Sequence, residues 1–392
     1  MTPEARLAAA AEVLDRYLAG EPAEKVLTNW ARRSRYAGSK DRAAVRDHVF
    51  AAIRRRRSAA WLGGAETGNE TGRALIIGLL RTRGQDPEAF LTGQGHALPP
   101  LTEAERVVPA APAGNVALDC PDWLAADLRD SLGEDFVPIM ERLQERAEIF
   151  VRANLSRGTR DEAQARLAAE DIDSEPVPLA STALRLGQGA RRVRNTSCYQ
   201  EGWVEIQDSA SQAVAEAVPL APDARVLDFC AGGGGKALAL AARGGGKIFV
   251  HDADPGRMRD IPERAARAGA RLETLKEAQL DLHAPFDLVI SDVPCSGSGA
   301  WRRQPEAKWR LDRGELDRLQ AVQRDILDRV RQLVSPGGRI AYMTCSMLGS
   351  ENEAQVEAFC AGNPEWNLER CQRFSPLQGG DGFFLALLRR TA

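Results

Sequence analysis

The sequence predicts an α/β protein: a doubly wound parallel sheet towards the C-terminal end, preceded by an all-α bundle and a small mixed α/β region. Four near-continuous apolar runs, RVLDFC at 225–230, KIFVHDAD at 247–254, FDLVISDVP at 286–294 and RIAYMTCS at 339–346, read as buried parallel strands. Helical stretches separate them, the alternation that a doubly wound sheet requires. Residues 1 to about 90 carry helical periodicity instead.

Residues 3–20 set Leu7, Ala10, Leu14, Tyr17 and Leu18 on one helical face, and Gly20 with Pro22 stops the helix. A second helix runs through AEKVLTNWARRSRYAG at 23–38. A third, SKDRAAVRDHVFAAIRRRR at 39–57, aligns Val45, Val49 and Ile53. Faces this apolar must pack, so these helices form a bundle. Arg54–Arg57 read as a solvated helix end that complements the helix dipole. The stretch 98–115, with its PP and PAAPAG, reads as a linker. Residues 119–148 return to helix, and IFVRANLS to ALRLGQG mixes strand-like pieces with helices. The expected domains are therefore 1–115, 116–202 and 203–392.

Composition narrows the function. With 44% hydrophobic and 27% charged residues the chain is ordinary globular protein, and a net charge of −3 creates no field that advertises a polyanion partner. The longest apolar run, ALIIGLL at 74–80, is too short for a membrane span. The start, MTPEARLAAAAEVLDR, lacks a signal layout, so a cytoplasmic protein is expected. Seven cysteines without short paired spacing and four scattered histidines argue against a disulfide framework, a metal site and a Ser–His–Asp hydrolase. GSG at 297–299 also fails the GxSxG pattern. Arginine supplies 46 of the 52 basic residues, so the six lysines, Lys236 and Lys308 among them, mark places where lysine itself is wanted.

Open α/β sheets bind ligands beyond the carboxyl ends of their strands. All four runs carry their unusual residues there: Asp228 and Cys230, then Asp252 and Asp254, then Asp292 and Cys295, and last Cys345. The glycine turn AGGGGK after the first run lets backbone approach a ligand, and an acid about 20 residues on suits ribose hydroxyls. Both fit a nucleoside cofactor. The turn is neither GxGxxG nor GxxxxGK[ST], which leaves S-adenosylmethionine open, since it needs no pyrophosphate cradle. Either thiol alone is consistent with an inert buried cysteine. Two thiols facing one crevice, one beside an acid, match a specific chemistry. Carbon 5 of a pyrimidine becomes nucleophilic when a thiolate adds to C6 while an acid engages N3, and a base must then remove the C5 proton. The residues themselves do not rank the two thiols.

The motifs LDFCAGGGGK, SDVPCSGSG with WRRQPEAKW at 301–309, MTCSMLGSENE at 343–353, EGWVEIQDSASQ at 201–212 and DGFF at 381–384 resemble the RNA 5-methylcytosine methyltransferases of the Sun/RsmB group. RYAGSKDRAAVRDHVF at 35–50 is similar to the NusB-like helical domain of that group. The likeness covers most of the chain. It implies a Rossmann-like S-adenosylmethionine methyltransferase domain at 203–392, a NusB-like domain at 1–115 and an RNA-orienting region at 116–202. It makes Cys345 the nucleophile, Cys295 the residue that assists product release and Asp292 the cytosine contact. Cys230, Ala231, Gly232, Gly233, Gly234, Gly235, Lys236, Asp252 and Asp292 would border S-adenosylmethionine, while Arg302, Arg303 and Lys308 would meet the RNA backbone. The family commonly has proline in the glycine loop where this chain has Gly233, and its acidic cofactor contact has no clear match among Glu273, Glu277 and Asp281. The implied substrate is ribosomal RNA, with transfer RNA as the alternative and a non-catalytic RNA-binding scaffold as the rival of another class. A metal-free monomer is expected.

Overall fold

The computed structural model describes residues 1–66 and 68–391. The chain divides into two units, one of Met1–Arg146 with Trp301–Arg310 and the other of Ala147–Ala300 with Leu311–Ala392.

The first unit is helical. It opens with α1 (Pro3–Leu18), α2 (Ala23–Arg33), α3 (Ser39–Arg54), α4 (Arg56–Leu62) and α5 (Gly72–Thr82). Thr2 caps α1 by accepting from the Ala5 N–H at 3.3 Å, which satisfies one of the free donors of the first turn. The faces read from the sequence are the core: Leu7, Ala10, Leu14, Val45, Val49 and Ile53 are buried together with Leu75, Ile76 and Ile77 of α5. Two glycines let α5 sit against its neighbours. A Cβ on Gly78 would fall 1.8 Å from the Ala59 carbonyl oxygen in α4, and one on Gly72 would fall 2.0 Å from that of Ala11 in α1.

The division departs from the expected boundaries. Helices Asp122–Leu132 and Phe136–Leu143 belong to this unit. Asp119, fully buried, explains part of the attachment. Its carboxylate accepts from the N–H groups of Arg57 and Ser58 at 2.8 and 3.0 Å, and from Ser58 Oγ and Gln144 Nε2 at 2.7 and 2.8 Å. The contact division falls at 146, with the proline-rich stretch 98–115 inside the helical unit.

In the second unit, β1 (Ile149–Ala153), β2 (Ser174–Pro176), β3 (Ala183–Leu186) and β4 (Val204–Ile206) form an antiparallel sheet in the order β2-β3-β1-β4. The helix Arg160–Ala169 shares its core through Ala163 and Leu167. Glu205 on β4 pairs with Arg264 at 3.2 Å and Arg267 at 2.8 Å, which ties this sheet to the helix Ile261–Ala268 of the larger layer. A buried carboxylate held by two guanidinium groups keeps its charge compensated.

The larger sheet contains β5 (Arg225–Asp228), β6 (Lys247–Val250), β7 (Leu272–Thr274), β8 (Phe286–Asp292), β9 (Val334–Thr344), β10 (Trp366–Phe374) and β11 (Phe383–Arg390), in the order β10-β11-β9-β8-β5-β6-β7. The four predicted strands, β5, β6, β8 and β9, pair in parallel side by side. The chain reverses direction across the sheet at β5, which has β6 on one side and β8 on the other, so a crevice opens beyond their carboxyl ends. At the far edge β10 and β11 run antiparallel, an addition the apolar runs did not announce. The middle of β10 is mostly exposed, and an edge strand of that kind carries no apolar run. Among the described residues no helix is long and apolar enough to cross a membrane.

Candidate active site

The glycine turn and the acid of β6 form one device. Gly232 and Gly234 take φ values of 50° and 77°, a region that residues with a Cβ enter at a cost. The Gly232 N–H donates to Asp252 Oδ2 at 2.9 Å, and the N–H of Ala231 donates to the His251 carbonyl at 2.9 Å. Arg257 meets the same Asp252 oxygen at 3.2 Å, while Oδ1 accepts from the Asp254 N–H at 3.0 Å. Asp252 thus shapes the turn as well as standing beside it. Cys230, Ala231, Gly233 and Gly235 complete the loop, and Gly235 opens the helix Gly235–Ala242. Burial, followed by the charges of Asp228, Asp292 and Asp252, pushes the Cys230 thiol well up.

Lys236, one of the six lysines, reaches Asp292 Oδ2 at 2.5 Å and lies 4.9 Å from the centroid of Phe383. Behind this pair Asp228 is buried, and its Oδ1 has no hydrogen-bond partner. Burial raises its pKa to about 7, Lys236 opposing the rise and Asp292 and Asp252 adding to it. A buried polar atom left unpaired is costly, so it marks where a polar ligand group fits.

The thiols come together. Cys295, beyond β8, and Cys345, beyond β9, are half-buried with their Sγ atoms 3.4 Å apart. The hydrogen bond with Cys345, then burial, then the charges of Cys345, Glu351 and Asp292, push the Cys295 thiol well above its ordinary range. The turns that carry the two cysteines interlock: Gly299 N–H donates to the Cys345 carbonyl at 2.9 Å, and Met347 N–H to Ser298 Oγ at 2.7 Å. At the centre sits Glu351, fully buried. It accepts from Ser296 N–H at 2.8 Å, Ser296 Oγ and Ser346 Oγ at 2.5 Å each, and Gln323 Nε2 at 2.9 Å. Glu351 lies within the MTCSMLGSENE motif, but the motif alone gave it no role. Gln323 was missed altogether; a lone glutamine inside a helix gives no local signal.

Of the three basic residues assigned to the RNA backbone, two are buried: Arg302 is 0% and Lys308 1% exposed, while Arg303 is exposed. This corrects the assignment for Arg302 and Lys308, because a buried cation in this conformation offers no face to a phosphate. Both lie in Trp301–Arg310, which packs within the helical unit. Arg54 Nε donates to the Arg302 carbonyl at 2.7 Å, Lys308 Nζ to the Arg54 carbonyl at 3.3 Å, and Trp309 Nε1 to the Ile53 carbonyl at 2.7 Å. Arg54 is itself buried, and burial lowers its pKa to about 10. Arg57 pairs with Asp122 at 2.7 Å. The end of α3 is therefore a packed joint, not the solvated terminus that the arginine run suggested. Of the unplaced acids, Glu277 meets His251 Nε2 at 3.1 Å, next to Asp252, whereas Glu273 pairs with Lys247 and Asp281 with Arg329.

A family model described as 16S rRNA methyltransferase RsmB/F matches residues 216–389, and one for the ferredoxin-like domain of RsmF/B-like methyltransferases matches 120–193. The ribosomal RNA small subunit methyltransferase B of Xylella fastidiosa (strain 9a5c) is 36% identical over 287 residues, 68% of this chain and 68% of its own length. The chain belongs to the RsmB/F methyltransferase family. The protein of the same name from Xanthomonas campestris is 33% identical over 293 residues, 69% of this chain and 67% of its own length, and that from Xylella fastidiosa strain Temecula1 is matched over 66% of its length. The crystal structure of PH0851 has the same fold over 100% of this chain and 99% of its own, at a TM-score of 0.77 and 22% identity. NSun6 from Pyrococcus horikoshii with SFG covers 69% of this chain and 98% of its own at 0.61 and 18%. The stretch matched to the RsmB/F methyltransferases contains Asp228, Lys236, Asp252, Asp292, Cys295 and Cys345. The ferredoxin-like match crosses the division at 146.

Proposed function

We propose that this RsmB/F-family methyltransferase moves a methyl group from S-adenosylmethionine to C5 of a cytosine in small-subunit ribosomal RNA. The observation that carries the reading is the 3.4 Å approach of Cys295 and Cys345 at the exits of neighbouring parallel strands, beside the Lys236–Asp292 pair. The relatives' shared name supports ribosomal RNA as the substrate. When bound, S-adenosylmethionine supplies an electrophilic methyl group. The chain's part in holding it falls to the Ala231–Gly235 backbone, Cys230, Lys236, Asp252 and the unpaired oxygen of Asp228. The orphaned buried oxygen and the open glycine turn fit such a guest.

The residues then divide the work on the ring. Cys345, as thiolate, forms a bond to C6, and Asp292 engages N3 with the Lys236 ammonium as its proton reserve. C5 gains nucleophilic character and takes the methyl group. A base removes the C5 proton, the bond to Cys345 breaks, and the aromatic ring returns. Cys295 is the base at hand: once it has given its own proton to solvent, its thiolate takes the C5 proton and returns to the thiol. A cytosine held in a stack cannot reach these thiols, so the target is an unstacked one.

Bisulfite sequencing of small-subunit ribosomal RNA from cells with and without the gene tests the reading. One cytosine should lose protection when the gene is absent and regain it on treatment with purified enzyme and S-adenosylmethionine. An unchanged pattern in ribosomal RNA, with a change in transfer RNA, would move the substrate; no change in either would remove the activity.

A further inference from the structure

We infer that Glu351 is the positioning residue that holds the two thiols of the site in register, an inference that rests on the proposed two-thiol reaction. The carboxylate touches neither reacting sulfur. It grips the residue next to each one: Ser296 through both its N–H and its hydroxyl, and Ser346 through its hydroxyl. Both hydroxyls end on the same oxygen, Oε2, so one atom spans the turns leaving β8 and β9. Gln323, from the helix Arg313–Val330, fastens the other oxygen at 2.9 Å and the Pro294 carbonyl at 2.9 Å, just ahead of Cys295. Glu351 is fixed in turn by its own backbone, whose carbonyl accepts from Tyr342 OH at 2.7 Å. Its neighbour Asn352 bridges Thr344 Oγ1 at 2.6 Å and the Ser346 carbonyl at 2.9 Å, on either side of Cys345.

Burying an ionised carboxylate costs free energy unless donors surround it, and four donors surround this one. Charge-assisted bonds of this kind are short and directional, so they fix geometry where apolar packing would leave play. A ring attacked at C6 and deprotonated at C5 requires two sulfurs set to within a fraction of an ångström, and a rigid shared anchor provides that. The charge has a second effect. Glu351 is among the groups that push the Cys295 thiol up, after the hydrogen bond with Cys345, burial and the Cys345 charge.

Disulfide formation in the free enzyme reads the register without RNA or methyl donor. A diazene oxidant takes two hydrogens from the Cys295 and Cys345 thiols, forming one S–S bond and the hydrazine, and peptide mass spectrometry tracks the product. Ser296→Ala and Ser346→Ala each cut a tie while leaving the carboxylate charged, and each should slow this reaction at least tenfold, with unfolding still cooperative. Glu351→Gln, which removes the charge, should move the pH profile of Cys295 alkylation, measured in a Cys345→Ser background, to lower pH. A crosslinking rate within twofold of the parent in both serine variants, together with an unmoved alkylation profile, would overturn the inference. If the parent crosslinks quickly and the ties matter, yet no RNA is methylated, the positioning stands and the proposed reaction falls.

Discussion

Cys295 and Cys345 lie 50 residues apart in sequence and 3.4 Å apart in space, a closeness produced by the parallel pairing of β8 with β9, which brings both strand exits to one rim. The Cys295 thiol is pushed well above its ordinary range, and the proposed reaction gives the attack on C6 to Cys345 and the C5 proton to Cys295.

The division has a direct readout. With RNA and S-adenosylmethionine, Cys295→Ala should still attack and methylate but fail to release, so a slow-migrating covalent adduct accumulates on a denaturing gel. Cys345→Ala should give neither adduct nor product. The reverse pattern would exchange the roles, and product from both variants without adduct would end the thiol mechanism.

Asp252 shapes the glycine turn and, in the proposed function, also accepts from a ribose, which changes what its removal should do. Asp252→Ala deletes an acceptor for a ribose and also frees the Gly232 N–H and Arg257 that shape the turn. A charged hydrogen bond is worth about 1.5–3 kcal/mol, so S-adenosylmethionine affinity should fall about tenfold or more by calorimetry. Because the turn loosens as well, amide exchange at 231–234 should quicken in the free protein. Faster exchange with unchanged affinity would leave Asp252 a purely structural group and make Asp254 the next candidate.

The strand ends were legible because burial on both faces writes continuous apolar runs, and residues just past such a run in an open sheet face the crevice. β5, β6, β8 and β9, the glycine turn, Lys236, Asp292 and both cysteines came from that rule. Glu351 and Gln323 did not, since their partners Ser296 and Ser346 are brought to them only by tertiary folding. The basic stretch at 301–310 misled for a physical reason. Charge suggests solvent, but a lysine or arginine whose polar groups find carbonyls can be buried, as Arg54 and Lys308 are. The proline-rich stretch at 98–115 lies inside the helical unit: such a stretch tells of irregular backbone and not of what it packs against.

Arg302, buried in the helical unit, should now behave as a core residue. Arg302→Ala is expected to lower the stability of the protein by about 2 kcal/mol or more while leaving the salt dependence of RNA binding unchanged. Arg303→Ala, at an exposed position, should instead leave the unfolding midpoint nearly unchanged. Denaturant unfolding and RNA titrations at two salt concentrations separate the cases. A flattened salt slope for Arg302→Ala would restore it to the RNA surface.

Lys308 should make stability depend on pH. Burial lowers its pKa from 10.5 to about 8, against the pull of Asp119. The unfolded chain keeps the proton up to about 10.5, so between these values it binds more protons than the folded one, and stability rises with pH. The full span is worth on the order of 3 kcal/mol. Lys308→Met should lose that rise, read as the difference between parent and variant unfolding free energies at about pH 7.5 and about pH 10. Parallel curves would place the lysine outside the buried joint.

Asp228 titrates with the opposite consequence. Its pKa rises from 3.8 to about 7 through burial, with Lys236 opposing and Asp292 and Asp252 assisting. The unfolded carboxyl loses its proton near 3.8 while the folded one keeps it, so the contribution present at low pH is lost as pH rises through about 7. Asp228→Asn should abolish this decline. The same carboxyl has an unpaired oxygen, and a cationic ligand group beside it would favour the charged form. Binding of S-adenosylmethionine near pH 7 should then release about half a proton from Asp228. Calorimetric titrations at about pH 7 in two buffers of different ionisation enthalpy measure that release. The parent should show a buffer-dependent heat that Asp228→Asn lacks. Equal heats in both buffers for the parent would mean that the carboxyl stays protonated with ligand bound, and that its orphaned oxygen does not face a cation.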